Sequence, residues 1–239
     1  MAGGSGQVRY FTRMSRLLRA FLAWRGLAAI ELISAEARRD LARVRETRKL
    51  TPLLMGDASA LHILTCVRAA RPLGGAMAEA GVLAGGTARL IGEAKGDAAL
   101  HLFDIFETLQ APLAPSSSQR ESELRAHFGK VHGTQAQVGA LLEAYPGVHL
   151  HPGIFPETAR GLEDVRFSFV HLDLDFEPST TDALAFFHPR MIEGGIIIGD
   201  DYHDPGVRRA FDRWFAGRPD LRLEMPWGQV AVVKAGPPA

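Results

Sequence analysis

Apolar residues recur at helical spacing through Tyr10, Phe11, Met14, Leu17, Leu18, Phe21 and Leu22, with Arg9, Arg13 and Arg16 on another side. This pattern predicts an amphipathic helix. Helical stretches over about 8 to 30, 31 to 49 and 57 to 71 precede Pro72, Gly74 and Gly75, which read as a stop and a turn. From residue 76 the text alternates. A strand AMAEAGV (76–82) leads to a helix over Thr87 to Glu93, a strand LHLFD (100–104), and a polar loop with Pro112, Pro115 and three serines. A helix over Gln135 to Ala144, strands VHLHP (148–152) and FSFVHLDLD (167–175), a helix over Asp182 to Phe187, a strand GIIIGDD (195–201) and a helix over Val207 to Phe215 follow. LRLEMP and QVAVVKA, joined through Trp227 and Gly228, alternate with period two and predict an antiparallel pair at the sheet edge. Strands alternating with helices in this way predict an α/β fold with a doubly wound, mostly parallel seven-stranded sheet and an antiparallel C-terminal edge. The expected division is a helical extension over residues 1–71 and an α/β domain over 72–239.

Composition narrows the class. With 46% apolar and 23% charged residues the 239-residue chain is globular and able to bury a core. Lys plus Arg and Asp plus Glu both total 27, so no chain-wide basic field exists to attract nucleic acid, and none is expected as a partner. The lone Cys66 excludes an internal disulfide framework and a cysteine-built zinc site; it fits a reducing compartment, so a cytoplasmic location is expected. No apolar run approaches the roughly 20 residues of a transmembrane helix. The charge is uneven, however: residues 1–50 carry 11 basic and 4 acidic side chains. The arginine-bearing helix is expected to dock on the acidic body of its own chain or of a second subunit, which predicts a homo-oligomer. A membrane-surface or targeting role is the competing reading.

In a doubly wound sheet ligands sit beyond the carboxyl ends of the strands. The first strand ends in Glu79-Ala80-Gly81, and Gly81, Gly85 and Gly86 form a turn in which backbone can approach a ligand, although an ordinary tight turn has the same look. Asp104 closes the second strand, where a carboxylate accepts ribose hydroxyls or caps a helix. The densest signal is His171-Leu172-Asp173-Leu174-Asp175-Phe176 with Gly199-Asp200-Asp201-Tyr202-His203. Asp173 and Asp175 share a face if both remain in extended chain. On neighbouring strands the four carboxylates converge, a conflict that a hard divalent cation resolves. The competing reading is that Asp200 and Asp201 cap the next helix. His62, His101 and His149 read as ordinary strand or helix residues.

EAGVLAGGT, LFDIFETL, PGIFPETA, HLDLDFEPST and GGIIIGDDYHDPGVRRAFDRW, in this order over about residues 72 to 234, resemble the motifs of the macrocin O-methyltransferase family. Its members transfer a methyl group from S-adenosylmethionine to sugar hydroxyls of bacterial natural products. The resemblance implies that Glu79 and Gly81 line the methionine end of the cofactor, that Asp104 holds the ribose, and that Gly153 to Phe155 lie near the adenine. It further implies Mg²⁺ on Asp173, Asp200 and Asp201, with Asp175 as general base and a small-molecule hydroxyl as acceptor. His203, just past the acid pair, is a second candidate base. The chain departs from the family in carrying Leu174 and Phe176 where Gly and Tyr are usual, and in its loop from 109 to 134. Two other readings keep parts of the pattern: a metal-dependent hydrolase built on the same acids, and a non-catalytic binding protein with a methyltransferase fold.

Overall fold

The computed structural model describes residues 34–106 and 133–236, with a few positions between 21 and 32. The helix expected over 8 to 30 and the loop from 109 to 134 lie almost wholly outside the described residues. The chain divides into two compact units, residues 1–39 and 40–239. Helices α1 (Ala35–Leu50) and α2 (Asp57–Ala70) come first. The division falls inside α1, and α2 lies wholly in the second unit. The reason is its apolar stripe: Ile63, Leu64 and Val67, at helical spacing, are wholly buried in one core with Met77, Phe169 and Ile198 of the sheet.

The second unit continues β1 (Ala76–Ala80), α3 (Gly86–Ala94), β2 (Leu100–Asp104), α4 (Gln135–Leu142), β3 (Val148–Pro152) and β4 (Phe167–Leu172). It closes with α5 (Glu177–Phe187), β5 (Met191–Gly199), α6 (Pro205–Trp214), β6 (Leu221–Glu224) and β7 (Val230–Val233). The strands form one seven-stranded sheet in the order β3-β2-β1-β4-β5-β7-β6. β3 to β5 pair in parallel, and β7 runs antiparallel to both β5 and β6. Every residue of β1 and β4 is buried, as a parallel sheet covered on both faces requires. Met77, Leu102 and Ile198 face one core; Ala78, Phe103 and Ile197 face the other, with Phe187 of α5 and Phe211 of α6.

Among the boundaries that differ from the sequence reading, those around Asp173 and Asp175 matter for the site. β4 stops at Leu172, and α5 begins at Glu177 with Pro178 in its first turn, so residues 173–176 are a loop. Asp173 and Asp175 are thus not successive same-face residues of a strand, and Asp175 has φ +61°. The order of the sheet reverses at β1, which pairs β2 on one side and β4 on the other. A crevice opens at such a switch point, above the carboxyl ends of the strands.

Candidate active site

A cavity of about 1400 Å³ lies above those strand ends. Gly81, Gly86, Asp104, Gly153, Phe155, Asp173, Asp175, Asp200, Asp201 and His203 all line it, so one space collects residues spread over more than a hundred positions. Glu79 and Gly85 are not among its lining residues. Glu79 is wholly buried behind the floor, where its Oε1 lies 3.0 Å from His171 Nδ1. Gly85 enters α3 in left-handed conformation, φ +82°.

The glycine turn owes its shape to neighbours as much as to any ligand. Gly81 has φ +90°, and a Cβ there would stand 1.8 Å from the carbonyl oxygen of Asp173. The exits of β1 and β4 are therefore in backbone contact, with Asp173 N–H donating to Ala80 O at 2.9 Å. At Gly86 a Cβ would meet Pro52 O at 2.4 Å, because the segment before α2 crosses over the turn. Asp104 fastens the turn from the adjacent strand: its Oδ2 accepts the N–H groups of Val82 and Leu83 (2.7 and 2.8 Å), and its Oδ1 accepts that of Phe106 (2.9 Å). The carboxylate expected to hold ribose thus orders the turn itself.

Four non-glycine residues among those described have positive φ: Leu83, Phe106, Asp175 and Asp201. Each follows a carboxyl end of a strand, and backbone strain of this kind concentrates at ligand sites.

The acids divide around Asp173. Ligand atoms of His171, Asp173 and Asp200 lie within 4.8 Å of one another, and so do those of Asp173, Asp175 and Asp201. The alternative capping role is excluded for the Asp200–Asp201 pair, because Asp204 caps α6, accepting from Gly206 and Val207 N–H. Burial, then the charge of Asp200, pushes Asp173 well above the usual carboxylate range. Burial, then the charge of Asp201, pushes Asp175 up to about 7. His171 is wholly buried between Glu79 and Asp200; in spite of that burial the two acids raise it to about 10, an imidazolium at neutral pH. Its Nε2 stands 3.6 Å from Asp200 Oδ2, an ion pair slightly longer than a hydrogen bond. Asp200 is half-buried, and against the effect of that burial His171 holds it below the usual range. Carboxylate oxygens gathered in this way are the ligand type that a hard divalent cation takes.

Sequence reasoning passed over several residues here. His171 stood inside the acidic motif, so its neighbourhood was visible although its role was not. Gln229 gave no signal: it is wholly buried, its Oε1 accepts from Trp227 Nε1 at 3.0 Å and lies 2.9 Å from His62 Nδ1, and its Nε2 approaches Asp200 Oδ2 at 3.5 Å. His203 is on the rim, exposed, with Nδ1 3.7 Å from Asp201 Oδ1.

The sheet order, the antiparallel outer pair and the crevice over the strand ends define the class I methyltransferase fold. The solved structure of the O-methyltransferase NovP superposes with a TM-score of 0.69 at 19% identity, over 84% of this chain and 98% of that one. A calicheamicin methyltransferase, CalS11, gives 0.58 at 15% identity over 87% and 95%. A model of the macrocin O-methyltransferase (TylF) family matches residues 20–230, and the chain belongs to that family. Among curated proteins, an 8-demethyl-8-(2,3-dimethoxy-alpha-L-rhamnosyl)-tetracenomycin-C 4'-O-methyltransferase of Streptomyces olivaceus is 36% identical over 146 residues, 57% of this chain. The match spans 56% of that relative's length.

Proposed function

We propose that the protein is an S-adenosylmethionine-dependent, divalent-cation-assisted O-methyltransferase that acts on a sugar hydroxyl of a glycosylated natural product. The observation that carries this reading is the convergence of Asp173, Asp175, Asp200 and Asp201 on the same cavity as the Asp104-ordered turn, in a chain of this family. The rhamnosyl tetracenomycin named for the Streptomyces relative suggests the acceptor class.

Gly81, the turn that Asp104 orders, and Phe155 would hold the methyl donor. Asp173, Asp200 and Asp201 would hold Mg²⁺, with His171 and Gln229 orienting Asp200 from behind. Bound there, the donor would supply an electrophilic methyl group and leave as S-adenosylhomocysteine, and the cation would lower the pKa of the acceptor hydroxyl and fix its position. Asp175 takes the hydroxyl proton. Its place beside Asp201 and Asp173 at the cavity surface, where the hydroxyl would be presented, gives it that role. His203 is more exposed and lies beyond Asp201, so it has the lesser claim. With the capping role excluded and the family assigned, nothing specific favours a hydrolase or a non-catalytic role. We further infer a homo-oligomer and a cytoplasmic location from the basic N-terminal segment and the single cysteine; among the described residues no helix is long and apolar enough to cross a membrane.

The test is transfer of labelled methyl from S-adenosylmethionine to rhamnosylated tetracenomycin acceptors, with and without EDTA. Label in the acceptor, abolished by EDTA and restored by Mg²⁺, is expected. Transfer indifferent to EDTA would remove the cation, and absence of transfer to every glycoside offered would remove the acceptor class.

A further inference from the structure

Apolar side chains stand exposed on the cavity surface, and Trp227 is part of nothing assigned above to the methyl donor or to the carboxylates. Leu54 and Ile154, both well exposed, and Trp227, 37% exposed, line it. Trp227 differs from the others in how firmly it is held. It occupies the third position of a tight turn from Met225 to Gly228, closed by Gly228 N–H to Met225 O at 3.1 Å, with Pro226 presetting the turn. Gly228 O accepts Tyr202 N–H at 2.7 Å, which ties the turn to the loop carrying Asp200 and Asp201.

The indole itself is fixed at two points. Its N–H donates to Gln229 Oε1 at 3.0 Å, and the ring of His62, from α2, meets it edge-on at 5.6 Å and 71°. With its one polar group satisfied by a buried amide, the exposed part of the ring toward the cavity is a purely apolar π surface. A preset aromatic ring of this kind gains little from water. It gains more from the C–H face of a pyranose, whose weakly positive hydrogens are attracted to the negative ring face. The same Gln229 that fixes the indole reaches Asp200 at 3.5 Å, so platform and carboxylate are set by one side chain.

We propose that Trp227 is the acceptor platform: a specificity-determining residue on which the sugar ring of a neutral glycoside stacks, so that its hydroxyl is presented to the acidic cluster. This deepens the proposed function and rests on its reading of a glycoside acceptor. Stacking of this kind serves neutral pyranosides.

Methyl α-L-rhamnopyranoside serves as the binding probe and a rhamnosylated tetracenomycin as the turnover probe, with wild type, Trp227→Phe and Trp227→Ala compared. The probe is expected to change the tryptophan emission of the wild type and not of Trp227→Phe. Acceptor KM rises at least about fivefold in Trp227→Ala, with kcat affected less, and Trp227→Phe recovers most of the loss. An unchanged S-adenosylmethionine affinity shows that the variants are folded. An acceptor KM indifferent to Trp227→Ala, or an emission change that persists in Trp227→Phe, overturns the platform and leaves the glycoside reading standing. If the wild type neither binds nor methylates any glycoside, the glycoside reading falls and the platform falls with it.

Discussion

Asp175 reaches the acidic cluster through a left-handed backbone turn, φ +61°, and not through strand periodicity. The turn brings its carboxylate to Asp201, and burial with that neighbour raises it to about 7. Asp175→Asn should lower kcat by on the order of 10² to 10⁴, the usual contribution of a general base, while S-adenosylmethionine still binds. The same substitution has a stability signature in cation-free protein. A carboxyl whose folded pKa is raised favours the native state at low pH, and that contribution is lost as pH climbs from the ordinary carboxylate range through about 7. Denaturant titrations should therefore show the variant losing less stability than wild type over this window. Asp104→Ala leaves three backbone N–H groups without their acceptor. Each such loss costs about 1–3 kcal/mol if it stays unsatisfied, so both melting temperature and S-adenosylmethionine affinity should fall. Were the affinity to hold while the protein melts earlier, Asp104 would be an architectural residue only. His171→Asn removes the ion-pair partner of Asp200 and should weaken Mg²⁺ binding by about 10- to 100-fold, as loss of an orienting partner does, measured by calorimetry.

Among the secondary elements, the β2–β3 pair carries a feature that its sequence spacing hid. His101 sits opposite His149 in the register, and period two puts His151 on the same face. The three rings pile together, with His101 Nδ1 2.9 Å from His151 Nε2 and stacked contacts of 5.0 and 5.2 Å from His101 to the other two. Burial, then the neighbouring imidazoles, lowers His101 to about 4. In the unfolded chain the ring protonates near 6.5, so the unfolded state binds the extra proton between those values and stability falls as pH drops from about 6.5 to about 4. His101→Gln should flatten that decline. Because Asp175 acts with the opposite sign in much of this range, the reading is the difference between variant and wild type. These histidines, read singly along the chain, look ordinary; only strand pairing makes them a group.

At the scale of the whole molecule, net charge is zero, yet residues 1–50 hold 11 basic and 4 acidic side chains. The helix predicted from the sequence between Phe11 and Leu22 would present an arginine-bearing apolar stripe too large to leave in water, which docking against a second copy would cover. Deleting residues 1–30 should convert an oligomer into monomers in light scattering or sedimentation. An oligomer that survives the deletion would place the interface elsewhere, and salt-sensitive partition of the intact protein onto anionic vesicles would favour a membrane surface.

The sequence by itself determined the fold class and the order of its strands and helices, and it singled out many of the residues that line the cavity. Period-two runs such as LHLFD and GIIIGDD are local signals, and the α/β rule then puts their last residues over one crevice, which is why Asp104, Asp173, Asp200 and Asp201 were legible as residues lining it. The tertiary structure decided what depends on neighbours distant in the chain. α2 joined the body because its apolar stripe meets β-strands residues away, and Glu79 withdrew beneath the floor because His171 comes to it from β4. Asp104 bonds a turn that belongs to another strand, and Gln229 reaches Asp200 across the sheet. Hydrogen bonds and contacts of this range leave no periodicity in the sequence, since their partners are set by strand order and register, and those exist only once the sheet has formed.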